Sequence, residues 1–390
     1  MATAESWTLL APKLTVPLIK PDLPSLEDVR DSFEEILANG RITNFGKYVS
    51  AFEAETGAYL GAHTVAISSG TMGLLFTLSA LGIQPGDEVI LPSFTFMATA
   101  QAILWAGGIP VFAEVEDDLN LSPADLENLL EQHPNAAAVI AVHMYGLPAD
   151  TAQLQSVIDA ASRKRNRKIH LIFDAAHAFG AAIDDRRVGS FGDAEVFSLS
   201  VTKVLVSVEG GLVSSRNPDL IERIRHMRNY GILSNYNAHF PGLNGKMSEF
   251  HAIVGLHNLR RLDALLTMRQ QRAHRYFQEI QKYTRFQPIS WPAGVTHTFK
   301  DLTVQTPGKG GQAQRDAVMN FLAERGVESR AYFFPPVHQQ EHFRRFATRP
   351  LPRTESLARS VITLPFYTSI SDEEIDYVVA QLADAERSLL

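Results

Sequence analysis

Residues 64–91, TVAISSGTMGLLFTLSALGIQPGDEVIL, contain a complete strand–turn–helix–strand unit. Thr64–Ile67 is a short apolar run, Ser68–Thr71 forms a turn, and leucines at 74, 75, 78 and 81 mark one face of a helix. Glu88–Leu91 is the next apolar run. Because strands joined through a helix usually run parallel, this unit predicts a parallel sheet.

The same alternation continues through the first two thirds of the chain. Amphipathic or helical patterns occur at 26–37, 52–60, 97–105 and 151–162. Further apolar runs occur at 110–113, 137–143, 170–173, 194–200 and 211–214, and we expect the last of them to pair near the edge of the sheet. Strands that alternate with helices predict an α/β fold with a mostly parallel sheet covered on both faces.

Beyond about Leu262 the sequence changes character. The pattern there predicts a long polar helix at 267–283, a strand near 300–305, and helices at 313–325 and 372–389. This mixture predicts a smaller C-terminal α+β domain. We therefore expect an N-terminal arm at 1–25, a large domain at 26–262 and the small domain at 263–390.

Composition argues against several functions. The 390 residues carry a net charge of −7 and no cysteine; we expect no nucleic-acid or membrane partner, and thiolate metal sites, disulfides and thiol nucleophiles are excluded. The basic run at 163–168 lacks aromatic residues and is typical of a solvated loop. The uncharged stretches at 56–86 and 89–113 are interrupted by Gly and Pro, which does not fit membrane spans. Glu5 precedes any basic residue, and prolines at 12, 17, 21 and 24 interrupt the first segment, so we expect no signal peptide and a cytoplasmic chain. We also expect no metal site.

Two residues next to predicted strands could carry chemistry. Asp174 follows an apolar run, at the carboxyl end where open α/β sheets bind ligands; alternatively it caps a helix that begins at 175–178. Lys203 leaves the run 194–200 shortly before Glu209-Gly210-Gly211. In a partly buried cleft its amine would lose proton affinity and become a nucleophile, whereas the alternative is a surface lysine.

The turn at Ser68–Thr71 opens a helix, and the N–H groups there could cradle a phosphate. A turn with a helix cap explains these residues equally well, and neither a P-loop nor a GxGxxG motif follows a strand. Taken together, a phosphate cradle, a carboxylate able to pair with a ring nitrogen and an amine able to form an imine are what a protein supplies to pyridoxal phosphate (PLP).

Several segments resemble the DegT-type (DegT/DnrJ/StrS) nucleotide-sugar aminotransferase family, which has the type I fold of PLP enzymes. They cover most of the chain: GRITNFG at 40–46, SGT at 69–71, PGDEVILPSFTF at 85–96, VHMYG at 142–146, DAAHAFG at 174–180, VGSFGD at 188–193, EGG at 209–211, NGKMSE at 244–249 and FPPVH at 334–338. The resemblance implies a seven-stranded-type sheet in the large domain and a homodimer with shared active sites.

The resemblance also implies which residues bind pyridoxal 5'-phosphate. Lys203 would form the Schiff base, Asp174 would pair with the pyridine nitrogen, His177 would lie near the ring hydroxyl and Phe96 would stack on the ring. The phosphate would be bound by Gly70, Thr71, Met72 and Ser198, and by Asn244 from the neighbouring subunit. Core packing for Phe96 and a turn role for Asn244 stay open.

The activity that the resemblance implies is transfer of an amino group from L-glutamate to a nucleotide-linked keto sugar. Our specific expectation is a dTDP-4-keto-6-deoxyhexose, with Asn44, Tyr145 and His338 as candidate substrate contacts; a simple loop histidine is the alternative for His338. A keto-cyclitol as acceptor and a silent PLP-binding regulator remain alternatives. Lys203 argues against the dehydratases of the family, which carry His there. Three features depart from the family's usual residues: the apolar residues around Lys203, the pair Met72-Gly73, and Lys246. They leave the contacts to the sugar undetermined.

Overall fold

A computed structural model describes residues 16–308 and 310–390 of the chain. Residues 1–15 of the predicted N-terminal arm, including Glu5, on which the expectation of no signal peptide depends, lie outside the described part. Among the residues that are described, none of the helices combines the length and the apolar character needed to cross a membrane.

The described residues form eleven α-helices and three short 3-10 helices. The predicted helices at 97–105 and 372–389 are confirmed at both ends. The α-helices are α1 Leu26–Asn39, α2 Lys47–Leu60, α3 Gly70–Ala80, α4 Met97–Trp105, α5 Pro123–Gln132, α6 Thr151–Arg165, α7 Pro218–Met227, α8 Glu249–Tyr283, α9 Gly311–Glu324, α10 Pro352–Ser360 and α11 Asp372–Leu389. The 3-10 helices are Met144–Gly146, Val337–Gln339 and Arg344–Phe346.

The same part of the chain contains fifteen strands, several of only two residues. They are β1 His63–Ile67, β2 Glu88–Pro92, β3 Ile109–Ala113, β4 Ala136–Val142, β5 His170–Asp174, β6 Ala182–Ile183, β7 Arg186–Arg187, β8 Ala194–Ser198, β9 Gly211–Ser215, β10 Ile232–Ser234, β11 Asn237–Ala238, β12 Gln287–Pro288, β13 Val295–Thr296, β14 Leu302–Gln305 and β15 Val361–Leu364.

Seven strands form the central sheet in the order β1-β9-β8-β5-β4-β2-β3. The pairs β2/β3, β2/β4, β4/β5 and β5/β8 are parallel, whereas β9 runs antiparallel to both β8 and β1. The mostly parallel sheet is therefore confirmed, and β9 lies next to the edge strand as expected. The parallel strands direct their carboxyl ends to one edge, where open α/β sheets bind ligands.

Helices cover both faces of this sheet. Successive residues of a strand point to opposite faces, so in β5 Ile172 packs with α3, α4 and α7, while Leu171 and Phe173 pack with α5 and α6. A third apolar cluster joins α2 and the first half of α8 to β1, β8 and β9. The uninterrupted apolar character of β4 follows from this burial on both faces.

Helix α8 continues from the large core into the C-terminal part of the chain. The prediction of a helix at 267–283 is wrong at its start, because α8 begins at Glu249 and is capped by Ser248. Leu256 packs in the cluster with α2, whereas Tyr276 and Ile280 pack with β14, β15, α9 and α11. The boundary predicted at 262/263 falls inside this helix, so the division into two domains stays a prediction.

Candidate active site

The carboxyl ends of β5 and β8 open into a cavity of about 380 Å³. Asp174 is the last residue of β5, Ser198 is the last residue of β8, and α3 begins at Gly70 on the cavity wall. The cavity brings together seven of the residues predicted to bind the cofactor: Gly70, Thr71, Phe96, Asp174, His177, Ser198 and Lys203. The fold thus joins segments that are separated by more than a hundred residues.

The start of α3 supplies unused N–H groups. Ser69 caps the helix, and its Oγ accepts the N–H of Met72 at 3.2 Å. The N–H groups of Gly70 and Thr71 come before it and have no acceptor within the helix. A Cβ at position 211 would lie 2.6 Å from the nitrogen of Gly70, so glycine at this position lets β9 approach the helix start.

Asp174 presents a buried carboxylate to the cavity. Its Oδ2 accepts the hydroxyl hydrogen of Thr99 at 2.8 Å, and its Oδ1 accepts the N–H of Ala176 at 3.1 Å. Burial raises the pKa of Asp174, against these two hydrogen bonds and the positive charge of Lys203. Because turns follow β5 and no helix begins there, the alternative of a helix cap is wrong.

Lys203 lies in the turn after β8, where its backbone N–H donates to the carbonyl of Ser200 at 2.9 Å. Its side chain is half-buried and lines the cavity. Burial first, and then the positive charge of Lys300, lower the pKa of Lys203 to about 8, against the nearby carboxylates. The alternative of an ordinary surface lysine does not fit this environment.

His177 and Phe96 lie on the cavity wall with different exposure. His177 is buried, its ring stacks on Phe333 with 6.3 Å between centroids, and its Nδ1 has no hydrogen-bond partner among the described residues. Burial, and then the charge of Lys203, hold the pKa of His177 well below its ordinary value, so the ring is neutral. Half of the Phe96 side chain is exposed, and plain core packing is therefore wrong for this residue.

Two later segments complete the cavity and were not among the predicted site residues. One brings Lys300, and the other brings Tyr332 and Phe333. The Phe333 ring lies 5.9 Å from the ring of Phe96. The FPPVH motif directly after Phe333 was a signal for this segment, but no motif in the sequence marks Lys300.

Five predicted contacts are not among the residues that line this cavity in the described chain. Met72 uses its N–H in the cap of α3, and Asn44 and Asn244 lie on exposed loops. The hydroxyl of Tyr145 donates to the carbonyl of Tyr332. The backbone N–H of His338 donates to the hydroxyl of Ser93 at 3.0 Å, and the ring Nδ1 of His338 is hydrogen-bonded to the same hydroxyl at 2.6 Å.

The lining residues fit pyridoxal phosphate. Free N–H groups lie at the start of α3, and Ser198 is next to them, since a Cβ at Gly70 would lie 3.1 Å from the Ser198 Cβ; N–H groups at a helix start and a nearby hydroxyl suit a phosphate. The buried carboxylate of Asp174 suits a protonated ring nitrogen, and the unpartnered Nδ1 of His177 suits a ring hydroxyl. The amine of Lys203 has the lowered proton affinity that imine formation requires.

The chain matches the model of the DegT/DnrJ/EryC1/StrS aminotransferase family over residues 25–383. It is similar to UDP-N-acetyl-3-dehydro-alpha-D-glucosamine 3-aminotransferase of Acidithiobacillus ferrooxidans (34% identity over 88% of this chain and 91% of that one) and to GDP-perosamine synthase of Vibrio cholerae (30%, over 92% and 96%). The crystal structure of DesI with its TDP-sugar product matches with a TM-score of 0.88 at 33% identity, over 97% of this chain and 94% of that one. The chain therefore belongs to the DegT/DnrJ/EryC1/StrS aminotransferase family and is a sugar aminotransferase that depends on pyridoxal phosphate.

Proposed function

We propose that this enzyme transfers the amino group of L-glutamate to a nucleotide-linked keto sugar, with a dTDP-4-keto-6-deoxyhexose as the specific candidate. The observation that carries the proposal is that the amine of Lys203 and the carboxylate of Asp174 line one cavity. The relatives described above are named for UDP-, GDP- and TDP-linked sugars. They support a nucleotide sugar as the substrate class, and the choice of dTDP is part of the proposal.

In this proposal the chain's own residues hold the cofactor. Backbone N–H groups of Gly70 and Thr71 and the Ser198 hydroxyl bind its phosphate, and Met72 contributes through the cap of α3. When bound, pyridoxal phosphate supplies a protonated ring that accepts the electron pair left by proton removal. Asp174 keeps that ring protonated, because its carboxylate is buried beside few other donors.

Lys203 would take the proton that leaves the α-carbon of the amino donor and would later supply the proton that the acceptor carbon gains. With its pKa near 8, about one amine in ten is neutral at pH 7, whereas an ordinary lysine would be neutral in about one of three thousand. The neutral amine takes the proton, and the ammonium that results returns it. Neutral His177 would lie near the ring hydroxyl of the cofactor and Phe96 would stack on its ring, so that these two residues would hold the cofactor in orientation.

The site is completed by a second subunit in this proposal. Asn244 is exposed on its loop and would reach the phosphate of the neighbouring subunit. Phe96, Val201 and Val208 are each at least 40% exposed close to Lys203. Apolar side chains exposed together at the mouth of a site are typical of a surface that another chain covers.

The sugar contacts proposed at Asn44, Tyr145 and His338 differ in what supports them. Asn44 is exposed and available to a ligand. Tyr145 is hydrogen-bonded to Tyr332, and His338 is hydrogen-bonded to Ser93. Either residue would therefore affect the sugar by positioning its partner.

The visible spectrum of the purified enzyme, recorded before and after L-glutamate and then with candidate acceptors, tests the proposal. Glutamate should change the cofactor absorbance and release 2-oxoglutarate, and a keto sugar on dTDP should restore the absorbance and give an amino sugar detectable by mass spectrometry. Lys203→Ala should lose turnover while staying folded, and Lys164→Ala, at an exposed lysine paired with Glu131, serves as the matched control.

Each alternative gives a different result. Restoration by a keto-cyclitol and by none of the dTDP, GDP or UDP keto sugars would favour the cyclitol enzyme. A bound cofactor whose absorbance no amino acid changes, even in a single turnover, would favour the silent regulator. Unchanged turnover in Lys203→Ala would contradict the catalytic assignment.

A further inference from the structure

A buried ion pair, of which Lys300 lines the cavity, binds no ligand in the roles proposed above. Lys300 and Asp301 are 6% and 4% exposed, and the Lys300 Nζ donates to Asp301 Oδ1 at 2.7 Å. Burial of an ion pair carries a desolvation cost that the attraction of the charges often fails to offset, and apolar residues are frequently as stable in its place. A pair of this kind beside an active site therefore points to function.

Lys300 has more donors than the protein uses. An ammonium group carries three N–H bonds, and in the described part of the chain Asp301 is the one acceptor hydrogen-bonded to it. The Tyr332 ring lies 5.7 Å from Nζ, and Lys300 lines the cavity. Buried polar groups are normally satisfied, so the spare donors mark a place for an acceptor from a ligand.

The backbone immediately before Lys300, at Phe299, is held in an unfavourable conformation. Phe299 has φ of +48°, in the left-handed region that a bulky side chain avoids. The guanidinium of Arg269 donates to the carbonyls of Thr298 and Phe299 at 3.2 and 2.5 Å, and the N–H of Lys300 donates to the carbonyl of Tyr145 at 2.9 Å. Backbone strain that the surroundings enforce in this way clusters at functional sites.

Cations are scarce in this cavity. Among the described lining residues, Lys203 and Lys300 are the only Lys or Arg side chains, and Asp174 and Glu209 are the acidic ones. Lys203 is committed to proton transfer, so a carboxylate brought by a substrate has Lys300 as its partner from this subunit. The α-amino group of that substrate has to react beside Lys203, and its α-carboxylate is attached to the same carbon, so the carboxylate stays inside the cavity that Lys300 also lines.

We propose that Lys300 binds the α-carboxylate of the amino donor. Asp301 holds the ammonium in place between reactions, and the incoming carboxylate accepts one of the N–H bonds that Asp301 leaves free. The inference rests on the proposed function, since it requires an amino acid as the donor.

Three variants of the enzyme with its cofactor separate this role from a structural one. Lys300→Gln should raise the KM for L-glutamate about ten- to a hundredfold, the range for losing a hydrogen bond to a charged group, and leave the KM for the keto sugar unchanged. Lys300→Arg should keep most of the affinity for glutamate. Asp301→Asn breaks the same ion pair but keeps the cation, so it should not weaken the binding of glutamate.

Binding of glutarate, a dicarboxylate with no amine to react, gives a readout apart from turnover. Calorimetric titration should show a weaker Kd in Lys300→Gln and not in Asp301→Asn. Equal weakening in both variants, or no weakening in Lys300→Gln, would overturn the proposal. If Lys300→Gln does not fold, Asp301→Asn decides alone, because weaker glutamate binding there contradicts the role of the cation.

A failure of the proposed donor can be told apart from a failure of this inference. If wild-type enzyme reacts with another amino acid but not with glutamate, the donor is wrong, and the same variants are compared on the amino acid that reacts, whose α-carboxylate should still depend on Lys300. An enzyme that converts no amino acid overturns both proposals.

Discussion

Lys203 should destabilise the folded chain when the cofactor is absent, and Lys203→Met should therefore stabilise it. A fall in the pKa from 10.5 to about 8 corresponds to about 3 kcal/mol, since each pKa unit is worth about 1.36 kcal/mol. The unfolded chain binds this proton more tightly than the folded one, so stability rises as the pH passes from 8 to 10.5. The cost of charging Lys203 is complete below pH 8 and gone above 10.5.

The expected gain from Lys203→Met is thus about 3 kcal/mol at pH 7, falling to the small pH-independent effect of the new side chain above pH 10.5. Urea unfolding of the cofactor-free protein across this pH range measures the difference between variant and wild type. Lys164→Met, at an exposed position, should show no pH-dependent gain. A gain at Lys203 that stays constant up to high pH would refute the electrostatic reasoning.

The other predictions concern the cofactor and the second subunit. Asp174→Asn should retain the cofactor but slow the glutamate half-reaction by about a hundredfold or more, because an amide does not stabilise a protonated ring nitrogen; a normal rate in stopped-flow absorbance would contradict that role. Gly211→Ala places a methyl group against the start of α3, and an overpacking cost of about 1–3 kcal/mol should weaken cofactor binding in a fluorescence titration, whereas unchanged affinity would show that the cradle tolerates the methyl. Mixing inactive Lys203→Ala subunits with Asn244→Ala subunits should restore up to about a quarter of wild-type activity if sites are shared across a two-fold axis, and no recovery would argue for independent sites.

The central sheet could be predicted because its strands are apolar runs separated by turn residues. A strand buried on both faces needs no alternation, and β4 and β5 show none. Helices α5 and α7 were missed although both begin with a cap followed by Pro, at Ser122 and Asn217. Their buried residues follow helical spacing, Leu126, Leu129 and Leu130 in α5 and Leu220, Ile221 and Ile224 in α7, so the signal was present in the sequence and was overlooked.

The long helix α8 was predicted only in its second half for a different reason. Its first half, from Glu249 to Leu262, is apolar on the sides that face α2 and the sheet, and its second half is polar enough to show a separate helical pattern. A change in character along one helix therefore suggested a boundary where the backbone has none. The polarity of a helix depends on what the helix packs against, and it does not show where the helix begins.

The candidate site could be predicted where a residue with suitable chemistry lies at the end of a strand or in the turn after it. Asp174 ends β5 and Lys203 lies in the turn after β8, and the cavity contains both. Tyr145 and His338 belong to motifs near the site, but their side chains bond to Tyr332 and Ser93. Lys300 reaches the cavity from a segment about a hundred residues beyond Lys203, and its neighbours in sequence give no sign of that contact.

The charges in the cavity also connect donor binding to proton transfer. Burial is the largest cause of the lowered pKa of Lys203, and the positive charge of Lys300 is the next. A donor carboxylate on Lys300 would offset that charge, so the proton affinity of Lys203 would rise while the donor is bound and its proton has to be removed. A keto sugar brings no carboxylate to Lys300, and the ammonium of Lys203 would then release its proton more readily to the acceptor carbon. Lys203 both takes and returns a proton in each half-reaction, so a donor bound to Lys300 would favour the step that takes the proton in the first half-reaction, and this effect would be absent from the second.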